Sequence, residues 1–337
     1  MMVHVVLDAM GGDNAPKEIV KGAVDALKGS DSIQITLCGR ESDIKAELDG
    51  VDYPHDRVDI VNAEEVITTE EAPVMAIRRK KDSSIVKGLN LVKEKKADAF
   101  VSAGSSGAVL VGGQLIVGRI KGVERPPLAP LIPSTTEKGV SLLIDCGANV
   151  DARSSHLVQF AKMGSIYMEH VIGVKNPGVA IVNIGAEEEK GNMLVKETFP
   201  LLKNCPDINF IGSIEAREIP NGGADVIVCE AFVGNVILKM YEGVGKMMLK
   251  SIKGALMGST LGKIGGLLIK PSLKGVMKTF DATEYGGAPL LGLNGLVVKV
   301  HGNATAKEIS NAIRQCVTFK EQNINQRIAD KIIIKDE

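Results

Sequence analysis

The chain has 337 residues, 45% hydrophobic but only 3% aromatic and without Trp, a supply of Val, Ile, Leu, Ala and Met that suits parallel strands buried on both faces. Forty basic residues against forty-one acidic ones leave a net charge of -1, which removes any global electrostatic case for a nucleic-acid partner. The five cysteines are scattered, with no CxxC pair and no His at ligand spacing, so a reducing cytoplasm is expected rather than a disulfide framework or a zinc site.

Residues 3–7 form a short apolar strand ended by Asp8, with no basic leader before it. No uncharged run of about 18 apolar residues occurs later, so a soluble chain, at most peripheral to a membrane, is expected. Asn14-Ala15-Pro16 opens a helix, with Asn14 as cap, Pro16 in the first turn and Ile19, Ala23, Val24 and Leu27 along one face. Further strands follow at 34–38, 57–61, 97–101, 140–144, 179–184, 209–211, 226–229 and 296–300, with amphipathic stretches between them. Strand alternating with helix means βαβ units and a mostly parallel, Rossmann-like sheet. With no repeat and no Ser/Pro-rich linker, residues 1–337 read as one domain.

One segment breaks that rhythm. From 243 to 280 there is no Asp or Glu, but there are seven lysines: Lys246, Lys250, Lys253, Lys263, Lys270, Lys274 and Lys278. Met257, Leu261, Ile264 and Leu268 recur at helical spacing, with Pro271 beyond them as a stop. A basic amphipathic helical hairpin inserted at about 240–282 is expected. Three roles are open to it: lining an apolar groove, touching an anionic membrane, or packing as a structural arm.

Ligands of open parallel sheets bind beyond the carboxyl ends of the strands. There the sequence places polar, Gly-rich loops: Asp8-Ala9-Met10-Gly11-Gly12-Asp13-Asn14, Ser102-Ala103-Gly104-Ser105-Ser106-Gly107, Asp145-Cys146-Gly147-Ala148-Asn149, Gly185 to Asn192, and Glu230 to Asn235. Any one of them reads equally well as a turn. As a set they offer backbone amides and helix starts for a phosphate-sized anion. The candidate phosphate or substrate ligands are Asp8, Gly11, Gly12, Asn14, Ser102, Gly104, Ser106, Asp145, Asn149, Asn183, Gly191, Asn192 and Gly234.

There is no GxxxxGK[ST], no GxGxxG after the first strand and no GxSxG. Cys146 and Cys229 end strands without an evident His partner and read as small buried hydrophobes. His301, beside the predicted site edge, reads as structural. What remains is acyl or phosphoryl chemistry run by positioning and electrostatics. Arg78-Arg79-Lys80-Lys81 adds four adjacent cations that one helix cannot turn to one side. Arg78 and Arg79 are taken as docking residues for an acidic partner or as phosphate ligands.

The nine residues from Asp8 to Pro16 resemble the amino-terminal signature of the acyl-carrier-protein:phosphate acyltransferases, the PlsX family. The resemblance continues through Arg78-Arg79-Lys80-Lys81-Asp82-Ser83-Ser84, Ser102-Ala103-Gly104 and Val117-Gly118-Arg119-Ile120-Lys121-Gly122. It then takes in Asp145-Cys146-Gly147-Ala148-Asn149-Val150-Asp151, Lys190-Gly191-Asn192, Gly234-Asn235-Val236 and Tyr285-Gly286-Gly287-Ala288. It implies a three-layer α/β/α fold like that of phosphate acetyltransferases and isocitrate/isopropylmalate dehydrogenases, in a homodimer with the hairpin at its edge. It also implies transfer of a fatty acyl group from acyl-carrier protein to inorganic phosphate, giving acyl phosphate for the first acylation of glycerol 3-phosphate in phospholipid synthesis. Lys190 and Asn235 take the catalytic positions; no cofactor and no metal are implied. The place implied is the cytoplasm and the inner face of the cell membrane, where a membrane glycerol-3-phosphate acyltransferase is a further partner. Two departures stand out: Ser105-Ser106 where the family commonly has Asn-Thr, and Val233 where Ser or Thr is usual. Competing readings are a phosphate acetyltransferase using coenzyme A, an NAD-dependent decarboxylating dehydrogenase, for which no carboxylate cluster can be assembled, and a non-enzymatic acyl-ligand sensor.

Overall fold

The computed structural model describes residues 1–279 and 286–332, the side chains of 270–279 excepted. The chain starts with β1 (Val3–Asp8), α1 (Lys17–Lys28), β2 (Ile33–Gly39), α2 (Glu41–Leu48), β3 (Val58–Asn62), α3 (Pro73–Arg79), α4 (Ser84–Lys93), β4 (Ala99–Ser102) and α5 (Ser106–Gly112). A second stretch runs β5 (Leu131–Pro133), β6 (Val140–Ile144), α6 (Ser154–Tyr167), β7 (Gly178–Val182), α7 (Met193–Lys203), β8 (Asn209–Ile214), β9 (Val226–Val228) and α8 (Ala231–Met257). With α9 (Thr260–Thr279), α8 forms a hairpin, and the chain returns through β10 (Ala288–Leu290), β11 (Leu296–Lys299), α10 (Ala306–Glu321) and α11 (Ile324–Ile332).

The strands form two sheets, ordered β10-β11-β4-β1-β2-β3 and β5-β6-β9-β7-β8. Every pairing is parallel except those of the edge strands β10 and β5. Helices cover the sheets, so the fold is the mostly parallel, layered α/β arrangement expected. The sequence reading, however, has one sheet where the molecule has two. Alternation of strand and helix fixes each βαβ unit but not the edge it joins, and β11 crosses back to pair with β4. The two strands missing from the reading, β5 and β10, have three residues each and contain Pro133 and Pro289. Proline cannot donate to a ladder, so such segments read as turns and survive only at sheet edges.

The central strands are buried along nearly their whole length, as aliphatic parallel strands covered on both sides must be. One apolar cluster runs through both sheets, from Val5 and Ile35 to Leu142 and Val226, joined by Phe160, Tyr167, Ile309 and Ile328. The buried Tyr167 hydroxyl keeps a partner, accepting from Gln315 Nε2 at 2.6 Å.

Two local expectations change. Asn14 does not cap α1; its amide donates to the carbonyls of Asn303 and Ala304 at 3.0 and 3.2 Å, tying the β1 loop to the approach to α10. Pro271 does not stop α9, which runs on to Thr279. In an exposed helix an internal proline removes one backbone hydrogen bond, a cost rather than a prohibition. Along the hairpin Met257, Leu261, Ile264 and Leu268 are all exposed, Leu261 at 82%.

Candidate active site

The carboxyl ends of β6, β7 and β9 face one cavity of about 1040 Å3, and the helices that follow them, α6, α7 and α8, all begin there. Their N-caps Arg153, Asn192 and Glu230 line it, together with Arg119, Arg125 and His156. Asn192 caps α7 by accepting from Val195 N at 2.9 Å, and the Glu230 carboxylate caps α8 by accepting from the amides of Phe232 and Val233.

Asp145 organises the loop after β6. It is fully buried and accepts from the amides of Leu128 and Ala148 at 3.0 and 3.1 Å, and from Asn149 Nδ2 at 2.7 Å. Burial pushes its carboxyl up against the lowering effect of those donors. The first turn of α8 rests on this loop so tightly that a Cβ on Gly234 would lie 1.9 Å from the Asp145 carbonyl oxygen. Gly234 is therefore a packing residue, which lets Asn235 stand where it does. Burial pushes the Cys146 thiol up to about 12 and that of Cys229 well above its usual value. Neither supplies a thiolate nucleophile.

Buried Asn183 holds the next loop. Its Nδ2 donates to the Lys190 carbonyl at 3.2 Å and to Ser213 Oγ at 3.1 Å, while its Oδ1 accepts from Ile184 N. Gly191, at φ +102°, turns the chain from Lys190 into the α7 cap. The Lys190 ammonium is half exposed and meets Glu187 at 2.8 Å, and that carboxylate holds its pKa up. Asn235 is exposed on the first turns of α8. Lys190 thus lies in the loop two residues before the α7 cap Asn192, and Asn235 lies on α8 beyond its cap Glu230; both caps line the cavity.

The candidates of the first sheet form a separate group. Asp8, itself buried, accepts from Ser102 Oγ at 2.6 Å and from Met10 N at 3.2 Å. Gly11 and Gly104 pack against each other and against Asp8, with a Cβ on Gly11 falling 2.6 Å from the Gly104 nitrogen. The amides of Met10, Gly11, Asp13 and Gly104 are all bonded within the protein. The Gly-rich loops after β1 and β4 therefore hold each other, with Gly12 closing on Gly302, rather than presenting a row of free donors. Buried Lys299 donates to the carbonyls of Ala103 and Val300, and burial brings its pKa down to about 8, with Lys239 of α8 adding to the effect and Asp8 opposing it. Ser105 caps α5 by accepting from Ala108 N, and Ser106 is exposed. Val233, with Ile237 and Tyr241, packs against the buried apolar cluster that includes Ile132, Leu143 and Ile227. In the basic quartet Lys80 pairs with Glu71 at 2.7 Å and Lys81 donates to the Ile77 carbonyl, leaving Arg78 and Arg79 exposed at the end of α3.

Sequence reasoning missed Arg119, Arg125, Arg153 and His156 as cavity residues. Only Arg119 fell within a quoted motif, and nothing local shows that the other three converge on it.

Layered, mostly parallel sheets with a polar cavity at the strand ends define an α/β protein of the class that binds its ligand beyond the carboxyl ends of the strands. A phosphotransacetylase from Streptococcus pyogenes superposes with a TM-score of 0.60 at 16% identity, covering 95% of this chain and 94% of that one. The EutD phosphotransacetylase from Staphylococcus aureus gives 0.58 at 18% identity, over 94% of each. The family model described as fatty acid synthesis protein matches residues 3–327. A phosphate acyltransferase of Alkaliphilus oremlandii is 52% identical over 330 residues, 98% of this chain and 97% of the relative, and one of Clostridium tetani is 50% identical over 331 residues, 98% of both. The chain belongs to this family of phosphate acyltransferases: it is an acyltransferase of fatty acid and lipid synthesis that uses phosphate as acceptor.

Proposed function

We propose that the acyl donor is a long-chain acyl thioester of acyl-carrier protein, and that the acyl phosphate formed feeds the first acylation of glycerol 3-phosphate. The observation that carries this reading is the cavity at the ends of β6, β7 and β9, lined by the helix caps Asn192 and Glu230, within a chain of the phosphate acyltransferase family. An oxygen of orthophosphate attacks the thioester carbonyl carbon, a C–O bond forms, and a tetrahedral oxyanion develops. Its collapse breaks the C–S bond; the carrier's thiolate leaves and takes up a proton. Because phosphate is the nucleophile, the chain needs only to align the reactants and stabilise developing charge. Lys190 offers a compact ammonium for phosphate or oxyanion once Glu187 yields it, and Asn235 an amide donor. Gly191, Asn192, Asp145, Asn149 and Gly234 hold these two in place, while Asp8, Gly11, Gly12, Asn14, Ser102 and Gly104 brace the facing sheet.

Arg78 and Arg79, exposed beside Val74 and Met75 on α3, are the docking cations for an acidic carrier. The α8–α9 hairpin meets the inner face of the membrane and lines the acyl groove of a homodimer. That contact is peripheral in this proposal, with a membrane glycerol-3-phosphate acyltransferase as the receiving partner; among the described residues no helix is long and apolar enough to cross a membrane.

Phosphate-dependent thiol release from palmitoyl-carrier protein tests the site. Lys190→Ala and Asn235→Ala are each expected to lose roughly 10²–10³ in rate. Near-normal turnover in both removes them from the mechanism.

A further inference from the structure

The formal charges lining the cavity balance, but the hydrogen-bonding capacity does not. Arg119, Arg125 and Arg153 face Glu124, Asp151 and Glu230. Two of the acids are turned elsewhere: Glu124 accepts from His156 Nε2 at 3.0 Å and Ser155 Oγ at 3.1 Å, and Glu230 caps α8. Arg119 spends one N–H on the Glu124 carbonyl. The guanidinium groups of Arg125 and Arg153 have no protein acceptor among the described residues. Two planar forks and most of a third thus converge on one polar cavity at the N-terminus of α6, where the helix dipole also favours an anion.

One buried ring holds this wall together. His156 Nδ1 accepts from Arg153 N at 3.1 Å, and its Nε2 reaches Glu124, whose carbonyl in turn receives Arg119. That pattern assigns the neutral Nε2–H tautomer. Both ring nitrogens are engaged, so His156 does not move protons; it fixes the start of α6 against the loop that carries Arg119 and Arg125. Burial, opposed by Glu124 but aided by Arg125 and Arg153, pushes its pKa down and keeps the ring neutral.

We propose that Arg119, Arg125 and Arg153 form a phosphate-group subsite in this cavity, with His156 as its positioning residue. The inference rests on the acyl-transfer reading and assigns a seat to one of the phosphate groups that the reaction brings. Two sources share this chemistry: the orthophosphate acceptor and the phosphodiester of the donor's pantetheine arm.

The experiment uses the full chain, wild type and Arg125→Gln/Arg153→Gln, in three arms: varied orthophosphate, varied acyl-carrier protein, and varied acyl-N-acetylcysteamine, which lacks the phosphodiester. A KM raised about tenfold or more is expected, the effect of losing one charged hydrogen bond. If the rise is for orthophosphate, the seat is the acceptor's; if it is for the carrier but not for N-acetylcysteamine, the seat is the arm's. Unchanged KM values in all arms overturn the subsite. His156→Phe should give the same KM shift and His156→Gln should recover part of it; a folded His156→Phe with wild-type KM values ends the positioning role. A wild-type chain without turnover sinks the acyl-transfer reading instead. The subsite is then judged by thermal stabilisation with orthophosphate or phosphopantetheine: loss in the double variant supports it, and equal stabilisation in both chains overturns it.

Discussion

At the scale of single residues, buried polar side chains hold the loops of the candidate site together. Asp8 ends β1 and Asp145 follows β6, and each accepts both from its own loop and from a neighbouring segment, Ser102 for Asp8 and Leu128 for Asp145. Gly234 shows how closely this is fitted: Gly234→Ala is expected to cost about 1–3 kcal/mol, because the new methyl collides with the Asp145 carbonyl. Thermal unfolding reads that loss as a lowered midpoint. His156 makes stability depend on pH. Its pKa is lowered below the ordinary 6.5 by burial, so as pH falls below 6.5 the unfolded chain takes up a proton that the folded chain refuses. Stability should therefore be complete above pH 6.5 and decline below it, and His156→Gln should flatten that part of the profile relative to wild type. Legibility in the sequence was uneven here. The Gly-rich loops marked Asp8 and Asp145, though not the hydrogen bonds each accepts, and Lys190 and Asn235 take their roles only through the family resemblance. Arg125, Arg153 and His156 carried no signal, because their meeting is a tertiary fact.

At the scale of elements, short β-branched runs fixed the interior strands well, since burial on both faces leaves a composition that little else requires. Edge strands β5 and β10 escaped notice because they pair on one side only and contain proline. The hairpin was visible as an acid-free basic segment, although Pro271 is carried within α9. Its apolar side chains project away from the two-sheet body, with Leu261, Leu267 and Leu268 more than 70% exposed. Leu261→Glu should therefore change the unfolding midpoint little. It should also cut co-sedimentation with anionic vesicles several-fold, as expected for an apolar tip at a charged interface. Unaltered sedimentation would exclude that tip from membrane contact.

At the scale of the whole molecule, the first sheet is assembled from both ends of the chain. β11 pairs with β4 although every strand of the second sheet lies between them in the chain, and α11 packs on α6. One apolar cluster passes through both halves, so the loop of Asp8, the loop of Lys190 and the start of α8 with Asn235 are all anchored to connected sheets. A scaffold of this kind needs no activated side-chain nucleophile, which agrees with buried, protonated Cys146 and Cys229. The central claim is acyl transfer from a carrier thioester to free phosphate at the ends of β6, β7 and β9. Its most direct test is acyl phosphate formation from palmitoyl-carrier protein with and without orthophosphate, with acetyl-coenzyme A as the alternative donor. The account expects phosphate-dependent product from the carrier thioester and little from acetyl-coenzyme A; turnover of acetyl-coenzyme A alone, or none from either donor, would contradict it.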